Sequence, residues 1–270
     1  MPAQAATPSN GRHDPKTMLD SKVIKKVLVT GASGYLGRSL CEVLADDFDL
    51  LRMDITEVQG PGEAVCGSVT DRAAIDKACS QVDAIVLAHM APNRSAAYDW
   101  PDLCMDINVK GVALALEAAV RHRIKRVVLI SSISVVWGHV QNKTFLTRDL
   151  SPLPVDLYGM TKVLQETIAR FYHQVKGLEI AVLRPAYILR EDSLVNKYGE
   201  TSQNVTWQCI DPRDIGRAVR GALKAKKLQY DVFYLMAGPD VNRHADVAFA
   251  QEPLDWNPEH RFAGIPVERL

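Results

Sequence analysis

The chain has 270 residues, with 32 Lys+Arg against 32 Asp+Glu, 47% hydrophobic residues and 16 glycines. That length can bury the core of one large domain, and the zero net charge supplies none of the basic footprint that nucleic acids or acidic membrane surfaces require. No run of about 18 uncharged apolar residues occurs, and the longest apolar stretches, 84–88 and 127–130, are strand-sized, so no spanning helix is expected.

Residues 1–22 mix Pro2, Pro8, Ser9, Asn10, Gly11, Asp14 and Pro15 with no apolar core of signal-peptide type, and they read as a loose tail. From Lys25 onward, short apolar runs alternate with amphipathic stretches, the pattern of repeated βαβ units. Strands are predicted at 27–30, 49–54, 64–66, 84–88, 126–131 and 179–184, with helices at 36–44, 71–79, 108–122 and 157–175. The last third is thinner, with a helix at 214–224, a strand at 232–236 and a small closing lobe around 246–256. The expected fold class is α/β, a Rossmann-type doubly wound parallel sheet with a small C-terminal substrate lobe. Residues 23–188 would form the dinucleotide-binding part, and 189–270 the short lobe and closing elements of the same domain. The five cysteines, Cys41, Cys66, Cys79, Cys104 and Cys209, are odd in number and form no C-x-x-C pair. They predict free thiols in a reducing, cytoplasmic setting and no zinc site.

Two motifs carry chemistry. Gly31, Gly34 and Gly37 lie in Thr30-Gly31-Ala32-Ser33-Gly34-Tyr35-Leu36-Gly37, directly after the first strand and opening the first helix. Such glycines allow a tight turn, bare backbone against a pyrophosphate and close helix-to-strand packing, while the helix N-terminus faces the anion. Asp54 ends the second strand 17 residues after Gly37, where a carboxylate can accept from ribose hydroxyls and would repel a 2′-phosphate. NAD is therefore favoured over NADP, with Arg38 and Arg52 as the nearby cations that argue the other way.

Tyr158 and Lys162 stand four apart at the start of a predicted helix and share one face. An ammonium one turn from a phenol favours the phenolate and would draw its pKa of ~10 toward the working range of a general base. Ser132, at the end of the fifth strand, can hydrogen-bond a substrate oxygen as its charge changes. Ser134, Trp137, His139, Arg190, Asn196 and Lys197 are the polar or aromatic candidates for a substrate pocket, and a cation among them can pair with a carboxylate.

These motifs, with Leu87-Ala88-His89-Met90-Ala91, Asn108-Val109-Lys110-Gly111, Ser131-Ser132, Arg184-Pro185-Ala186-Tyr187-Ile188 and Asp211-Pro212-Arg213-Asp214-Ile215, resemble the extended branch of the short-chain dehydrogenase/reductase superfamily, the NAD-dependent epimerase/dehydratase family. The resemblance runs from Lys25 to about Pro258. It implies proton transfer by Tyr158, a ribose-binding and pKa-lowering role for Lys162, and orientation of the substrate oxygen by Ser132. It also implies a cofactor channel that takes in Ser33, Tyr35 and Leu36 of the loop, Ser68 and Val69 after the third strand, Ala88, His89 and Met90, Asn108, and Pro185, Tyr187 and Ile188. Asn108 is expected to shape its helix, and His89 to be satisfied by backbone.

Two departures shape the expectation. Ser68 stands where the family often carries an acidic residue near the adenine, and only the 20 residues 189–208 fill the usual substrate-binding insertion. A small substrate follows. The short lobe and the ending Leu254-Asp255-Trp256-Asn257-Pro258 resemble the uronate dehydrogenase-like members, although Ile133-Ser134 replaces their polar pair and Tyr187 replaces a small polar residue. The leading expectation is NAD-dependent oxidation of a small sugar, sugar acid or other hydroxylated substrate. The alternatives are a sugar epimerase/dehydratase with internally recycled NADH, and a catalytically silent dinucleotide sensor. The resemblance also implies a homodimer formed through the helices at 108–122 and 157–175.

Overall fold

The computed structural model describes residues 23–92 and 101–268; the predicted tail at 1–22 lies outside them. Seven strands form the main sheet: β1 (Lys26–Thr30), β2 (Asp49–Asp54), β3 (Glu63–Cys66), β4 (Ala84–Leu87), β5 (Arg126–Ile130), β6 (Glu179–Pro185) and β9 (Tyr230–Leu235). They run in the order β3-β2-β1-β4-β5-β6-β9, and every neighbouring pair is parallel. The order reverses between β1 and β4, which opens a crevice at the strands' C-terminal ends where such sheets bind ligands. Two further strands, β7 (Tyr187–Ile188) and β8 (Cys209–Ile210), form a separate short ladder that sequence reasoning did not foresee.

The central strands are apolar on both faces because helices cover both. Val27 and Val29 of β1 face one core, shared with α1 (Tyr35–Leu44) and α7 (Pro212–Lys224). Leu28 of the same strand faces the other, packed with α2 (Arg72–Cys79) and α4 (Gly111–Arg121), and α6 (Leu157–Lys176) closes that side. All three residues are fully buried, as the period-two alternation of a strand between two helical layers requires.

Helix starts follow capping chemistry. Asp71 accepts from the Ala73 and Ala74 amides, Asp156 from the Gly159 amide, and Asp211 from the Arg213 amide with Pro212 in the first turn. Asp71 is thus the cap of α2 and not its first residue, and α7 begins two residues earlier than expected. The predicted helix 108–122 is corrected more deeply. The chain is already helical in α3 (Pro101–Cys104), continues through a wide π-turn segment at Met105–Lys110 and narrows into α4 at Gly111. Inside that segment the Asn108 side chain accepts from the Ala91 amide and donates to Thr161 Oγ1, and its carbonyl accepts from Gln165. These tertiary bonds offset the poorer local geometry. Between β5 and α6 the chain forms a 3-10 turn (Ile133–Val136) and a short α5 (Trp137–Gln141), neither of which was expected.

Candidate active site

A cavity of about 570 Å³ opens at the C-terminal ends of β1, β4, β5 and β6, within the ~300–1,000 Å³ range of small-molecule and cofactor sites. At one end lies the glycine loop. Gly31 has φ +70°, and an added Cβ would stand 2.7 Å from the His89 Cα. A Cβ on Gly37 would fall 2.0 Å from the Gly31 carbonyl oxygen. Neither position accepts a side chain, so bare backbone faces the cavity and α1 sits close against β1. Gly34 is the N-cap of α1, and no side chain caps that end. The first-turn amides therefore form a seat for an anion.

Asp54 ends β2 beside this loop. Its carboxylate accepts from the Ser33 amide at 2.9 Å and the Ile55 amide at 2.7 Å, while Thr56 donates to Ser33 Oγ at 2.8 Å. The loop, Asp54 and the bare backbone fit a dinucleotide. Arg52 is buried and donates to the Val58 and Gly62 carbonyls, and Arg38 is exposed; neither lines the cavity.

The other end holds Ser132, Tyr158 and Lys162, all in the cavity wall. Ser132 caps the 3-10 turn, where its oxygen accepts from the Ser134 amide at 3.1 Å. Tyr158 is half-buried and hydrogen-bonded with Ser132. Lys162 is buried and donates to the Ile130 carbonyl at 2.8 Å. Its ammonium lies 5.7 Å from the Tyr158 ring centroid. Burial pushes the Tyr158 phenol up to about 12, against the lowering effect of the Ser132 bond. Burial, with the nearby charge of Lys197, pulls the Lys162 ammonium down to about 7, while Glu166 opposes the fall. The expectation that Lys162 would draw the phenol downward is therefore corrected. Desolvation by burial sets the direction of both shifts.

Behind this triad lies a polar network that sequence reasoning missed. Glu166, one turn after Lys162, is buried and takes two bonds from Arg184, at 2.9 and 2.7 Å, and one from Ser131 at 2.6 Å. Arg184 also donates to the Tyr234 hydroxyl at 3.1 Å. The carboxylate thus ties the end of β5 and strand β6 to α6, and the first and last of these elements carry the triad. Glu166 follows Lys162 by four residues and so shares its helix face, which was the available signal.

Of the other expected cofactor residues, Ser33, Tyr35, Leu36, Ala88, Met90, Pro185, Tyr187 and Ile188 line the cavity. Ser68, Val69, His89 and Asn108 do not. Ser68 bonds with Thr70, Val69 is buried against the backbone at Gly111, and Asn108 holds the π-turn segment. His89 is buried with Nδ1 2.8 Å from Thr30 Oγ1, and the Ile107 backbone faces its ring, so a side chain joins the expected backbone partner. Burial and the Lys162 charge hold its imidazole down at about 3.

Ser134, Trp137, Asn196 and Lys197 line the cavity as substrate candidates should. His139 is turned to the Ser151 carbonyl and Arg190 pairs with Asp192, so neither does. Tyr198 and Gln208 join the wall without having been predicted; they lie in the segment 189–208, which has no periodic pattern. Its first half is an irregular hairpin in which Leu189 bridges Asn196 and Val195 bridges Thr201. The buried Asn196 organises the tip, accepting from the Tyr198 and Glu200 amides and donating to the Tyr187 hydroxyl. Lys197 at the rim sits 5.9 Å from the Tyr158 ring centroid and 5.0 Å from that of Tyr198.

Residues 27–192 match the NAD dependent epimerase/dehydratase family. The chain belongs to that family. It is an NAD-dependent oxidoreductase of the dehydrogenase/epimerase type. Curated relatives include L-arabinose 1-dehydrogenase (NAD(P)(+)) of Haloferax volcanii, 25% identical over 89% of this chain and 98% of that protein. A uronate dehydrogenase of Pseudomonas syringae pv. tomato is 31% identical over 77% of this chain and 73% of its own. Among solved structures, glucuronic acid dehydrogenase from Chromohalobacter salexigens superposes with a TM-score of 0.75 at 20% identity, covering 89% of this chain and 86% of that one. UDP-glucose 4-epimerase of Thermotoga maritima gives 0.70 at 16% identity, covering 87% and 94%. Both structures share the fold of the family member described here. No helix among the described residues is long and apolar enough to cross a membrane.

Proposed function

We propose that this enzyme oxidises a hydroxyl of a small sugar or sugar acid with NAD. The observation that carries the reading is a single cavity with the glycine loop and Asp54 at one end, and Ser132, Tyr158, Lys162 and the rim cation Lys197 at the other. The segment 189–208 that contributes to the second end is only 20 residues long, which leaves little room for a nucleotide-linked sugar and favours net oxidation over epimerisation. Relatives named for L-arabinose and uronate support the same substrate class. In this reading residues 23–188 hold the dinucleotide and 189–270 shape the sugar end.

The dinucleotide's pyrophosphate would sit on the α1 amides and its ribose against Asp54, whose charge selects against a 2′-phosphate. Bound NAD supplies the hydride acceptor, and its nicotinamide's positive charge favours the Tyr158 phenolate. Ser132 donates to the substrate oxygen and holds it against Tyr158 Oη. Tyr158 takes the hydroxyl proton, and Ser132 stabilises the oxygen as the carbonyl forms. Lys162, fixed by the Ile130 carbonyl, holds the ribose side of the site. Lys197 at the rim pairs with a carboxylate or hydroxyl of the sugar.

Two further readings go with this proposal, one of them on α6. The helix exposes Met160, Phe171 and Val175 along one stripe beside α4, and we assign this stripe to a twofold dimer contact. All five cysteines are free thiols, which supports a cytoplasmic setting. The test of function is NADH absorbance while the protein and NAD meet a panel of free aldoses, uronic acids, polyols and steroid-like alcohols. A rise with an aldose or uronic acid is expected. A rise only with steroid-like alcohols, or no rise with NAD binding shown by calorimetry, would overturn the assignment.

A further inference from the structure

One contact joins the two ends of the cavity. The Tyr35 hydroxyl donates to the Val195 carbonyl at 2.7 Å, across 160 residues of sequence, and the Arg190 backbone faces the same hydroxyl. Tyr35 is the first residue of α1, inside the glycine loop. Val195 lies in the hairpin that presents Lys197, two residues further on, over the Tyr158 ring. Tyr35, Asn196 and Lys197 all line the same cavity.

We infer that Tyr35 is a positioning residue that couples the dinucleotide seat to the sugar site, holding the hairpin 189–202 so that Lys197 stands over Tyr158. The inference takes from the proposed function only that NAD seats on the glycine loop and that the hairpin forms the sugar end.

The hairpin needs such an anchor. Its backbone bonds run from the Arg190 amide to the Val195 carbonyl at 3.2 Å, Leu194 to Arg190 at 2.8 Å, Asn196 to Glu200 at 2.9 Å, Gly199 to Asn196 at 3.1 Å and Ser202 to Leu194 at 2.8 Å, and the Asn196 side chain ties it to the Tyr187 hydroxyl on β7; none of these reaches α1. Leu194 adopts φ +52°, in the left-handed region that a branched side chain disfavours. In its first turn Asp192 pairs with Arg190 and Arg213, both of them partly exposed pairs worth little in water. The Tyr35 bond holds the tip-side strand, which those pairs do not reach.

The direction of coupling follows from where Tyr35 sits. Its backbone belongs to the uncapped first turn of α1, the turn that an anion would order. Once that turn is fixed, the Tyr35 side chain loses less freedom in bonding Val195, so an occupied seat strengthens the latch. By linkage a latched hairpin strengthens the seat equally. The enzyme thereby completes its sugar site after the dinucleotide is in place, with no contact needed between dinucleotide and hairpin.

Hydrogen exchange on the full chain tests this, comparing the protein with Tyr35→Phe, each with and without NAD. The Phe variant keeps the ring, the glycines and the loop amides and removes only the hydroxyl. In the unsubstituted protein NAD is expected to slow exchange both at 31–37 and across 189–202. In Tyr35→Phe the slowing at 31–37 persists, while the NAD-dependent slowing at the Leu194, Asn196 and Ser202 amides shrinks by roughly two- to tenfold, the worth of one hydrogen bond. A merely structural tyrosine would loosen the hairpin equally with and without NAD, and that result overturns the proposal. Hairpin slowing that is unchanged in the variant, or absent in the unsubstituted protein, overturns it as well. Exchange is read without turnover, so a negative sugar panel leaves this comparison intact.

Discussion

The two ends of the cavity are built by different means. At the dinucleotide end, the walls are backbone: glycines that admit no Cβ, helix amides and the ends of fully buried parallel strands. At the end proposed for the sugar the walls are side chains, carried by short helices, a two-residue ladder and an irregular hairpin held by polar bonds. A backbone wall is held by the whole sheet and resists local change. A wall made of side chains is held by individual bonds, each open to substitution, and that is where substrate choice can vary while cofactor use persists.

Five substitutions probe this contrast, the largest expected effect first and the smallest last. Tyr158→Phe removes the proton acceptor and is expected to lower turnover by roughly 10²- to 10⁴-fold, while calorimetry shows NAD affinity much less affected; turnover equal to the unsubstituted enzyme would refute the mechanism. Glu166→Gln leaves the Arg184 charge buried without its counter-ion, at side-chain exposures of 6% and 3%, respectively. Urea unfolding is expected to show a loss of about 3–5 kcal/mol. Asp192→Asn in the hairpin, where the carboxylate is 52% exposed, is expected to cost less than about 1 kcal/mol. Equal losses in the two variants would erase the distinction between the buried network beneath the triad and the exposed pairs of the hairpin.

His89 supplies a pH test of the backbone end. Its imidazole titrates at about 3 when folded, against ~6.5 when unfolded. Below pH ~6.5 the unfolded chain therefore binds a proton that the folded chain refuses. Stability from this group is complete above that pH and falls by up to about 1.4 kcal/mol per unit on acidification toward pH 3. His89→Asn is expected to flatten that part of the melting-temperature profile, and an unchanged slope would show that His89 is not its source.

Lys197→Met gives the smallest effect. Removing a like charge lets the Lys162 ammonium rise from about 7. The fall in kcat/KM as Lys162 loses its proton then moves to higher pH, and KM for a sugar acid rises by about two- to fivefold. A pH profile that does not move would show that Lys197 does not act on Lys162.

Legibility followed the same division. Val27, Leu28 and Val29 were readable as strand because alternation and apolarity are local. Gly31, Gly34 and Gly37 were readable because a strand, a turn and a helix followed in order, and Tyr158 and Lys162 because a helix places residues four apart on one face. The orientation of His139 and Arg190 was not readable, since each satisfied its polar atoms with a nearby loop group and turned from the cavity. The π-turn at Met105–Lys110 escaped for a related reason: Asn108, Ala91, Thr161 and Gln165 stabilise it together, and they come from three distant segments.

By itself the sequence determined the alternation of strands and helices, the phosphate-binding turn, the carboxylate at the end of β2 and the Tyr-Lys pair, because each depends on spacings of a few residues along one element. Tertiary structure alone decided that His89 packs under the glycine loop, that Glu166 joins Arg184 and Ser131 beneath the triad, and that Tyr35 reaches Val195. Those contacts join residues separated by 18 to 160 positions. They exist only once the folded sheet and its loops have met the entropy cost of bringing such distant segments together.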